Sequence, residues 1–376
     1  MVKTLVTTAI RVGGLLRGTE FHPEKDKCIF IEEGILASIE NPSMCPAHYE
    51  DFSQAILVPA PANSHTHLAD FMIPEYGVDK SLHELVAPPK GLKHVLLSKA
   101  DWREKINAYS RALNYIESTG VSLVIDYREE GGDGCKAART AACQSFYKGS
   151  LILLGRPIGG EDLPPVIEYC DGLGLPSPIN YSETVLKEIG RITREKDLIV
   201  SSHIAETRET REEGDLDYLL EYVDPTFIVH GTHLSQDDIA LLSERRIPVA
   251  VCPRSTLFHS TGIPPLRHFY EGGLDIMIGS DNAAWQVPSV WRDLETVYLI
   301  GRYQGLRGSS FVSWILRGFF YNPYKYTGIN PPVIDEGFKA DYLLIDASSN
   351  GILDSQDMRV ALVKRVDRKD IIRRVI

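Results

Sequence analysis

No stretch of this 376-residue chain approaches the ~18 uninterrupted apolar residues that would span a membrane. The N-terminal "MVKTLVTTAIRVGGLL" lacks the long apolar core and small-residue cleavage site of a signal peptide. Basic charge is also scarce. Forty Lys and Arg stand against 51 Asp and Glu, a formal charge of −11. This argues against nucleic acid as a partner, since phosphate binding needs a basic face. The one basic run, "KRVDRKDIIRR" (364–374), reads as a solvated tail or edge strand. Six cysteines (Cys28, Cys45, Cys135, Cys143, Cys170, Cys252) are scattered without a CxxC pair. That is a reducing-compartment pattern rather than a disulfide framework, and it makes a cytoplasmic location the expectation. A Gly-x-Ser-x-Gly elbow and a P-loop are both missing, which leaves serine hydrolase and NTPase readings without support.

What is there is organised in two styles. Residues 1–40 carry short alternating runs, "TLVTTAIRV", "KCIFIEE" and "GILASIE", and the C-terminal "GFKADYLLIDAS", "VALVKRVD" and "IIRRVI" resemble them. Both ends read as short antiparallel strands, and together they predict a small composite β-sandwich from residues 1–56 and 336–376. Between them, eight short apolar runs recur: 55–60, 121–127, 151–155, 166–170, 198–203, 227–231, 248–252 and 275–280. Most are separated by stretches of helical period such as "KINAYSRALNYIEST". Continuous apolar strands alternating with helices predict a parallel sheet covered on both faces. Eight such units suit an α/β fold of the (β/α)8 TIM-like barrel type over residues 57–335. Ser235 is placed to cap the helix that opens "SQDDIALLSE".

Chemistry in such barrels sits at the C-terminal ends of the strands. Reading off those ends gives His65 and His67 in "PANSHTHLAD", His203 in "IVSSHIAET", His230 in "FIVHGTHL" and Asp281 in "IMIGSDNAA". Residues i and i+2 of a strand face the same side, so His65 and His67 can both point into the barrel mouth. Imidazoles and a carboxylate are good ligands for zinc or ferrous iron. Any one of these histidines is explained equally well as a hydrogen-bonded strand-end residue. Four of the eleven histidines at the ends of predicted strands are not. Glu206, three residues past His203, is placed to carry a proton between an activated water and a leaving group.

The ordered set "HTH", "HIAE", "HGTHL" and "GSD" resembles the amidohydrolase superfamily over essentially the whole chain. Its cytosine, guanine and S-adenosylhomocysteine deaminase and triazine chlorohydrolase branch is the most similar. "GFKADYLLID" is similar to that family's Gly-Lys-x-Ala-Asp segment. The resemblance implies one divalent metal, zinc or alternatively iron, held by His65, His67, His203 and Asp281. It implies Glu206 as proton shuttle, His230 as the residue that polarises the attacked group or orients the water, and Asp281 as general base. Two-metal members carry a bridging lysine on strand four, and "VIEYCDGLG" has none. Glu168 or Cys170 could bridge in principle, but the HxxE arrangement resembles the one-metal branch. The implied reaction is hydrolytic deamination of a small nitrogen heterocycle by metal-activated water. Ring opening of a cyclic amide, or displacement of halide, would suit the same site.

The departures from the family matter too. "CPRST" replaces something like Asn-Pro-x-Ser-Asn, and "NAAW" follows Asp281. The substrate residues expected are therefore this chain's own: Arg254 for a carboxylate or phosphate through its bidentate fork, with Asn282 and Trp285 in the pocket wall. The long first loop (71–95) brings Lys90, Lys93 and His94 near the mouth, with Lys93 as a further substrate contact; loops of that length are commonly functional or lid-like. His233 has no counterpart in the family motif. The partner expected is a small molecule, not nucleic acid or membrane, and a homodimer is frequent among barrels of this kind. Two rivals stand beside this reading. "GGDGCKAA" (131–138) fits the Gly-x-Gly-x-x-Ala nucleotide fingerprint, and a catalytically inactive structural homologue would keep the fold without the chemistry.

Overall fold

The computed structural model describes residues 7–87 and 90–376. The first three residues of the expected strand "TLVTTAIRV", the start of the expected 1–56 segment, and Pro88 and Pro89 of the first loop lie outside the described residues. Along the chain come β1 (Thr7–Arg17), β2 (His22–Glu32), β3 (Ile35–Glu40) and β4 (Glu50–Pro59). Then follow β5 (Ala62–His67), β6 (Leu123–Arg128), β7 (Ser150–Gly155), β8 (Gly172–Leu175) and β9 (Ile199–Ile204). After them come β10 (Phe227–His230), β11 (Val249–Val251), β12 (Ile276–Ile278) and β13 (Asp281–Asn282). The last strands are β14 (Tyr342–Asp346) and β15 (Ile371–Val375). No helix among the described residues is long and apolar enough to cross a membrane.

The chain divides into two compact units. The first comprises Met1–Ala62, Ser118–Ser122 and Arg307–Ile376, and the second Asn63–Glu117 with Leu123–Leu306. In the first unit both chain ends join one six-stranded sheet, ordered β15-β14-β4-β1-β2-β3. Its alternation is the one the sequence carries. Ile10 and Val12, Ile29 and Ile31, Ala55 and Leu57, and Tyr342 and Leu344 share one buried cluster, as same-face residues of period two must.

The second unit is built on a curled parallel sheet of nine strands, β12-β11-β10-β9-β8-β7-β6-β5-β13. Its two outermost strands lie close together in sequence. β12 pairs with β11 through Val249 and Ile276, and two residues later β13 pairs with β5 through Asp281 and Thr66. One segment, 276–282, thus ties both edges. Gly279 makes this possible, because a Cβ there would come 2.7 Å from the Cβ of His65. Ser235 caps the helix Gln236–Arg245 as expected, its hydroxyl accepting from the Asp238 amide at 3.1 Å.

Two strand assignments change. The apolar run 55–60 belongs to β4, between β1 and β14, where Ile56 and Leu57 are buried. The strand that opens the parallel sheet is the polar "ANSHTH", β5, all six residues buried. Hydrophobicity pointed to the wrong run because this strand buries polar side chains in place of aliphatic ones. Residues 166–170 are not the fourth strand either. "LPPVIEY" is a helix, Leu163–Tyr169, with proline in its first turn and Leu163 and Val166 buried at i, i+3. The fourth strand is the glycine-rich β8, where a Cβ at Gly174 would meet the Tyr127 ring at 2.6 Å.

Two further expectations are corrected. The glycines of "GGDGCKAA" lie inside the helix Gly131–Gln144 rather than in a loop ahead of it, with Gly132, Gly134 and Ala137 buried. They serve close packing, since a Cβ at Gly132 would come 2.9 Å from the Pro165 carbonyl oxygen, and the nucleotide fingerprint falls away. The cysteines also pair. Cys28–Cys45 and Cys135–Cys170 form disulfides with Cα separations of 5.6 and 5.8 Å, leaving Cys143 exposed and Cys252 buried as free thiols. Partners 17 and 35 residues apart leave no short-range motif to read, so the cysteine argument for a reducing compartment loses its premise.

Alkylation tests this pairing directly. Denatured, unreduced protein should take up two iodoacetamide adducts, at Cys143 and Cys252, and reduced protein six. Six adducts without reduction would contradict the pairing.

Candidate active site

Parallel strands deliver their C-terminal ends to one face, and four strands carry the expected site residues. β5 ends in His65 and His67, β9 presents His203, β10 ends in His230, and β13 begins with Asp281. The ring centroids of His65 lie 4.9 Å from both His67 and His203 and 5.8 Å from His230. Two overlapping triplets of ligand atoms gather within 4.8 Å: His65, His67 and Asp281, and His65, His203 and His230. His65 belongs to both, so it joins the expected ligands from distant parts of the chain.

The contacts among these groups are those of a cation site with its lone pairs turned inward. His65 Nε2 lies 3.2 Å and His67 Nε2 3.5 Å from the same oxygen, Asp281 Oδ1. Yet both ring nitrogens of His65, and Nδ1 of His230, have no hydrogen-bond partner. The 3.2 Å separation therefore lacks the direction of a hydrogen bond. Burial lowers the pKa of all four imidazoles, so they are neutral and able to ligate. Burial alone would raise Asp281, but His65 and the other imidazoles outweigh it and hold the carboxylate well below its usual range. Buried polar atoms rarely stay unpaired. Neutral imidazoles around one carboxylate are a donor set that fits a divalent ion.

The other nitrogens are fixed from outside. His203 Nδ1 donates to the Leu175 carbonyl at 2.9 Å and His67 Nδ1 to Glu129 Oε1 at 2.9 Å, leaving each Nε2 as the free donor atom. Ser255 donates to Asp281 Oδ2. His230 and Asp281 also hold left-handed backbone, φ 70° and 60°. That conformation is costly for non-glycine residues and persists where surrounding structure imposes it.

Glu206 Oε1 stands 3.6 Å from His230 Nε2. Burial, then the negative Asp281, pushes its carboxyl up to about 8. It therefore carries its proton at neutral pH in the metal-free protein, which is what a proton donor requires.

Behind His67 lies a charge network the sequence reading missed. Lys93 Nζ reaches Glu129 Oε1 at 2.7 Å and Asp70 Oδ2 at 3.3 Å. Arg128 pairs with Glu129 Oε2 at 2.5 Å, and Asn282 Nδ2 donates to Asp70 Oδ2 at 2.7 Å. Burial would raise Glu129, yet Lys93, His67 and Arg128 keep it well below normal. His67, Asp70 and Glu129 also form a ligand-capable triplet, but the Lys93 ammonium already supplies its positive charge. Glu129 follows directly on β6 in "DYREE", so the strand-end rule that found the histidines would have found it.

A cavity of about 590 Å³ opens over the cluster and is lined by His67, His203, Glu206, His230 and Asp281. Of the expected substrate residues, Lys93 and Asn282 line it, each engaged in the network just described. Arg254 does not. Its guanidinium is bidentate on buried Asp293, at 3.0 and 2.6 Å, and donates to the carbonyls of Val287 and Ser289. Its Nε and Nη2 are taken by these partners, and the residue does not reach the cavity lining. Trp285 is also absent from the lining. It packs among Ile73, Leu85 and Ala284, and its indole N–H donates to the Tyr76 carbonyl at 2.9 Å. His259, edge-on to Trp285 at 5.1 Å, lines the cavity in its stead.

The first loop carries helices at Leu82–Val86 and Leu92–Lys99. It contributes Leu82, His83, Val86 and Lys93 to the cavity, while Lys90 is exposed and His94 turns its Nε2 to the Val86 carbonyl. His233 faces the Thr261 carbonyl, outside the lining. Glu168 is exposed on its helix and Cys170 is tied to Cys135, so neither is placed to bridge two metals.

The profile of the amidohydrolase family matches residues 165–376. An uncharacterized protein of Methanocaldococcus jannaschii is 31% identical, over 95% of each chain. A 5-methylthioadenosine/S-adenosylhomocysteine deaminase of Pyrococcus furiosus is 23% identical over 90% of this chain and 86% of its own. Among solved structures, an adenosine deaminase from Xanthomonas campestris with bound zinc superimposes with a TM-score of 0.81 at 15% identity, covering 98% of this chain and 91% of that one. The last is a likeness of fold.

The Glu206 environment predicts an unusual pH dependence. With a folded value of about 8 against 4.5 unfolded, the unfolded chain loses its proton first as pH rises. Stability of chelated protein should therefore fall between about pH 5 and pH 8. Urea unfolding in EDTA checks this, and Glu206→Gln should flatten the slope.

Proposed function

The chain belongs to the amidohydrolase family, metal-dependent hydrolases of C–N bonds, and on that premise we propose that it deaminates an amino-substituted nitrogen heterocycle using a single divalent ion. The observation that carries this is Glu206, a part-buried carboxyl that keeps its proton at neutral pH, beside His230 and close to a carboxylate ringed by neutral imidazoles. His65, His67, His203 and Asp281 would hold the ion. Zinc is the metal proposed, with iron as the alternative. A bound divalent ion supplies Lewis acidity and brings the pKa of water towards neutrality.

The rest is the work of this chain's own side chains. Asp281, ionised and with Oδ2 held by Ser255, accepts a proton from the attacking water. His230, fixed in strained backbone, donates to the group that gains negative charge at the attacked carbon. Glu206 delivers its proton to the departing nitrogen. The balance is water plus amine giving the hydroxy or oxo heterocycle and ammonia. A single ion is favoured because β8, "GLGL", offers no lysine bridge and Lys93 already neutralises the neighbouring triplet. The alternatives, cyclic amide opening and halide displacement, have no comparable observation behind them.

In architecture, we count β12 and β13 as two halves of one eighth strand. This closes a (β/α)8 barrel in a catalytic domain lying within residues 57–335, while the six-stranded sheet drawn from both chain ends wraps its core as a sandwich. An enzyme of small molecules, able to pair as a homodimer and without nucleic acid or membrane partner, completes the reading.

Chelator-sensitive ammonia release over a panel of aminopurines, aminopyrimidines and their nucleosides tests the reaction. Glu206→Gln should lower kcat at least about a hundredfold with metal content unchanged, and near-wild-type turnover would exclude the role. Elemental analysis should give one ion per chain, and two held with similar affinity would contradict the single site. Glu129→Gln, which loosens the hold on His67, should weaken metal affinity about ten- to a hundredfold in chelator competition.

A further inference from the structure

Five histidines among the described residues line the cavity. His67, His203 and His230 belong to the site already described, and His83 is exposed on the first loop. His259 is the one that the proposed chemistry leaves unused. It closes the helix Pro253–Phe258 that follows β11, and its amide donates to the Ser255 carbonyl at 2.9 Å. Residues four apart in a helix stand one above the other, with Cβ atoms about 5–6 Å apart. Ser255 in turn donates to Asp281 Oδ2. His259 therefore stands one helical turn out from the residue that holds the Asp281 carboxylate.

The ring is held from outside and open inward. Phe258 and Trp285 lie nearly parallel, 17° apart, and the imidazole stands almost at right angles to each, at 4.9 and 5.1 Å. Trp285 is itself pinned by its indole N–H on the Tyr76 carbonyl and by packing against Ile73 and Leu85. The groups that act on the imidazole through space are Asp281, His230 and Lys93. All three line the cavity, so the ring looks towards the reacting centre. Burial outweighs the pull of Asp281 and pushes its pKa down to about 4. It is therefore neutral, with one N–H to give and one lone pair to take. Neither nitrogen has a hydrogen-bond partner among the described residues. A half-buried imidazole that served packing alone would carry the cost of unpaired polar atoms for nothing.

We propose that His259 is a specificity residue, whose imidazole hydrogen-bonds a ring nitrogen of the substrate heterocycle on the side remote from the carbon under attack. With that carbon against Asp281, a planar ring running towards the helix Pro253–Phe258 brings its far edge to His259. The ligand class is a nitrogen heterocycle with an acceptor at that far edge, as a purine offers. The bond orients the ring and moves no proton, so His259 stands apart from Glu206 and Asp281 in its task. It rests on the deaminase reading only for where the reacting carbon sits.

Direct binding tests it, with oxo products of the proposed reaction as probes because they do not turn over. Calorimetry on the metal-loaded protein would compare inosine with 3-deazainosine and xanthine with 7-deazaxanthine, each pair differing in one ring nitrogen remote from the reacting carbon. In at least one pair the parent should bind about five- to a hundredfold more tightly, the worth of a neutral hydrogen bond whose loss leaves a partner unpaired. In His259→Phe, which keeps a ring against Trp285, that ratio should collapse towards one through weaker binding of the parent. In His259→Gln, which restores a donor, it should be partly recovered. Melting temperatures identify any variant that fails to fold, in which case His259→Leu replaces His259→Phe. Equal binding within both pairs, no binding of either parent, a ratio that survives loss of His259, or loss of metal from His259→Phe would overturn the proposal. Ammonia release from adenosine and guanine is read separately. A preference that depends on His259 without ammonia would defeat the deaminase reading and leave the contact standing, and ammonia without preference would do the reverse.

Discussion

Everything at this site depends on the electrostatics of one carboxylate. Asp281 sits buried among imidazoles that burial keeps neutral, with two Nε2 atoms facing one of its oxygens. Without a positive charge at the centre these lone pairs oppose one another. With one, they become a ligand shell. The surrounding fold answers to that requirement. Gly279 lets the segment carrying Asp281 close on His65, the Leu175 carbonyl and Glu129 hold the far nitrogens of His203 and His67, and unfavourable backbone is tolerated at His230 and Asp281.

The same logic sets the two carboxyls of the chemistry apart. Asp281 is buried and Glu206 part-buried, and imidazole contacts drive one down while desolvation and the charge of Asp281 itself drive the other up. One is held as a carboxylate and the other as an acid, and their difference comes from surroundings alone. Beside them, Lys93 turns what would be a second cluster of acids into a neutral support for His67.

The clustering of these residues was more legible than the fold around them. His65, His67, His203, His230, Glu206 and Asp281 could be named because strand ends converge in parallel α/β sheets and because the motifs resemble a family's. The strand boundaries were not. β5 hid because its buried residues are polar, and β8 hid because glycine gives no hydrophobic signal. The substrate wall was the least legible. Arg254 and Trp285 are close in sequence to Asp281 or its neighbours, but direction decides their roles, and Asp293 and Tyr76 claim them.

By itself, then, the sequence determined the kinds of residue at the strand ends, their order, and the alternation that builds the terminal sheet. These are local properties, set by side-chain chemistry and a period of two. Tertiary structure alone decided which histidines turn to the cavity, which carboxyl stays protonated and which cysteines pair. Each of those depends on the distance between residues remote in the chain and on the water their neighbours exclude.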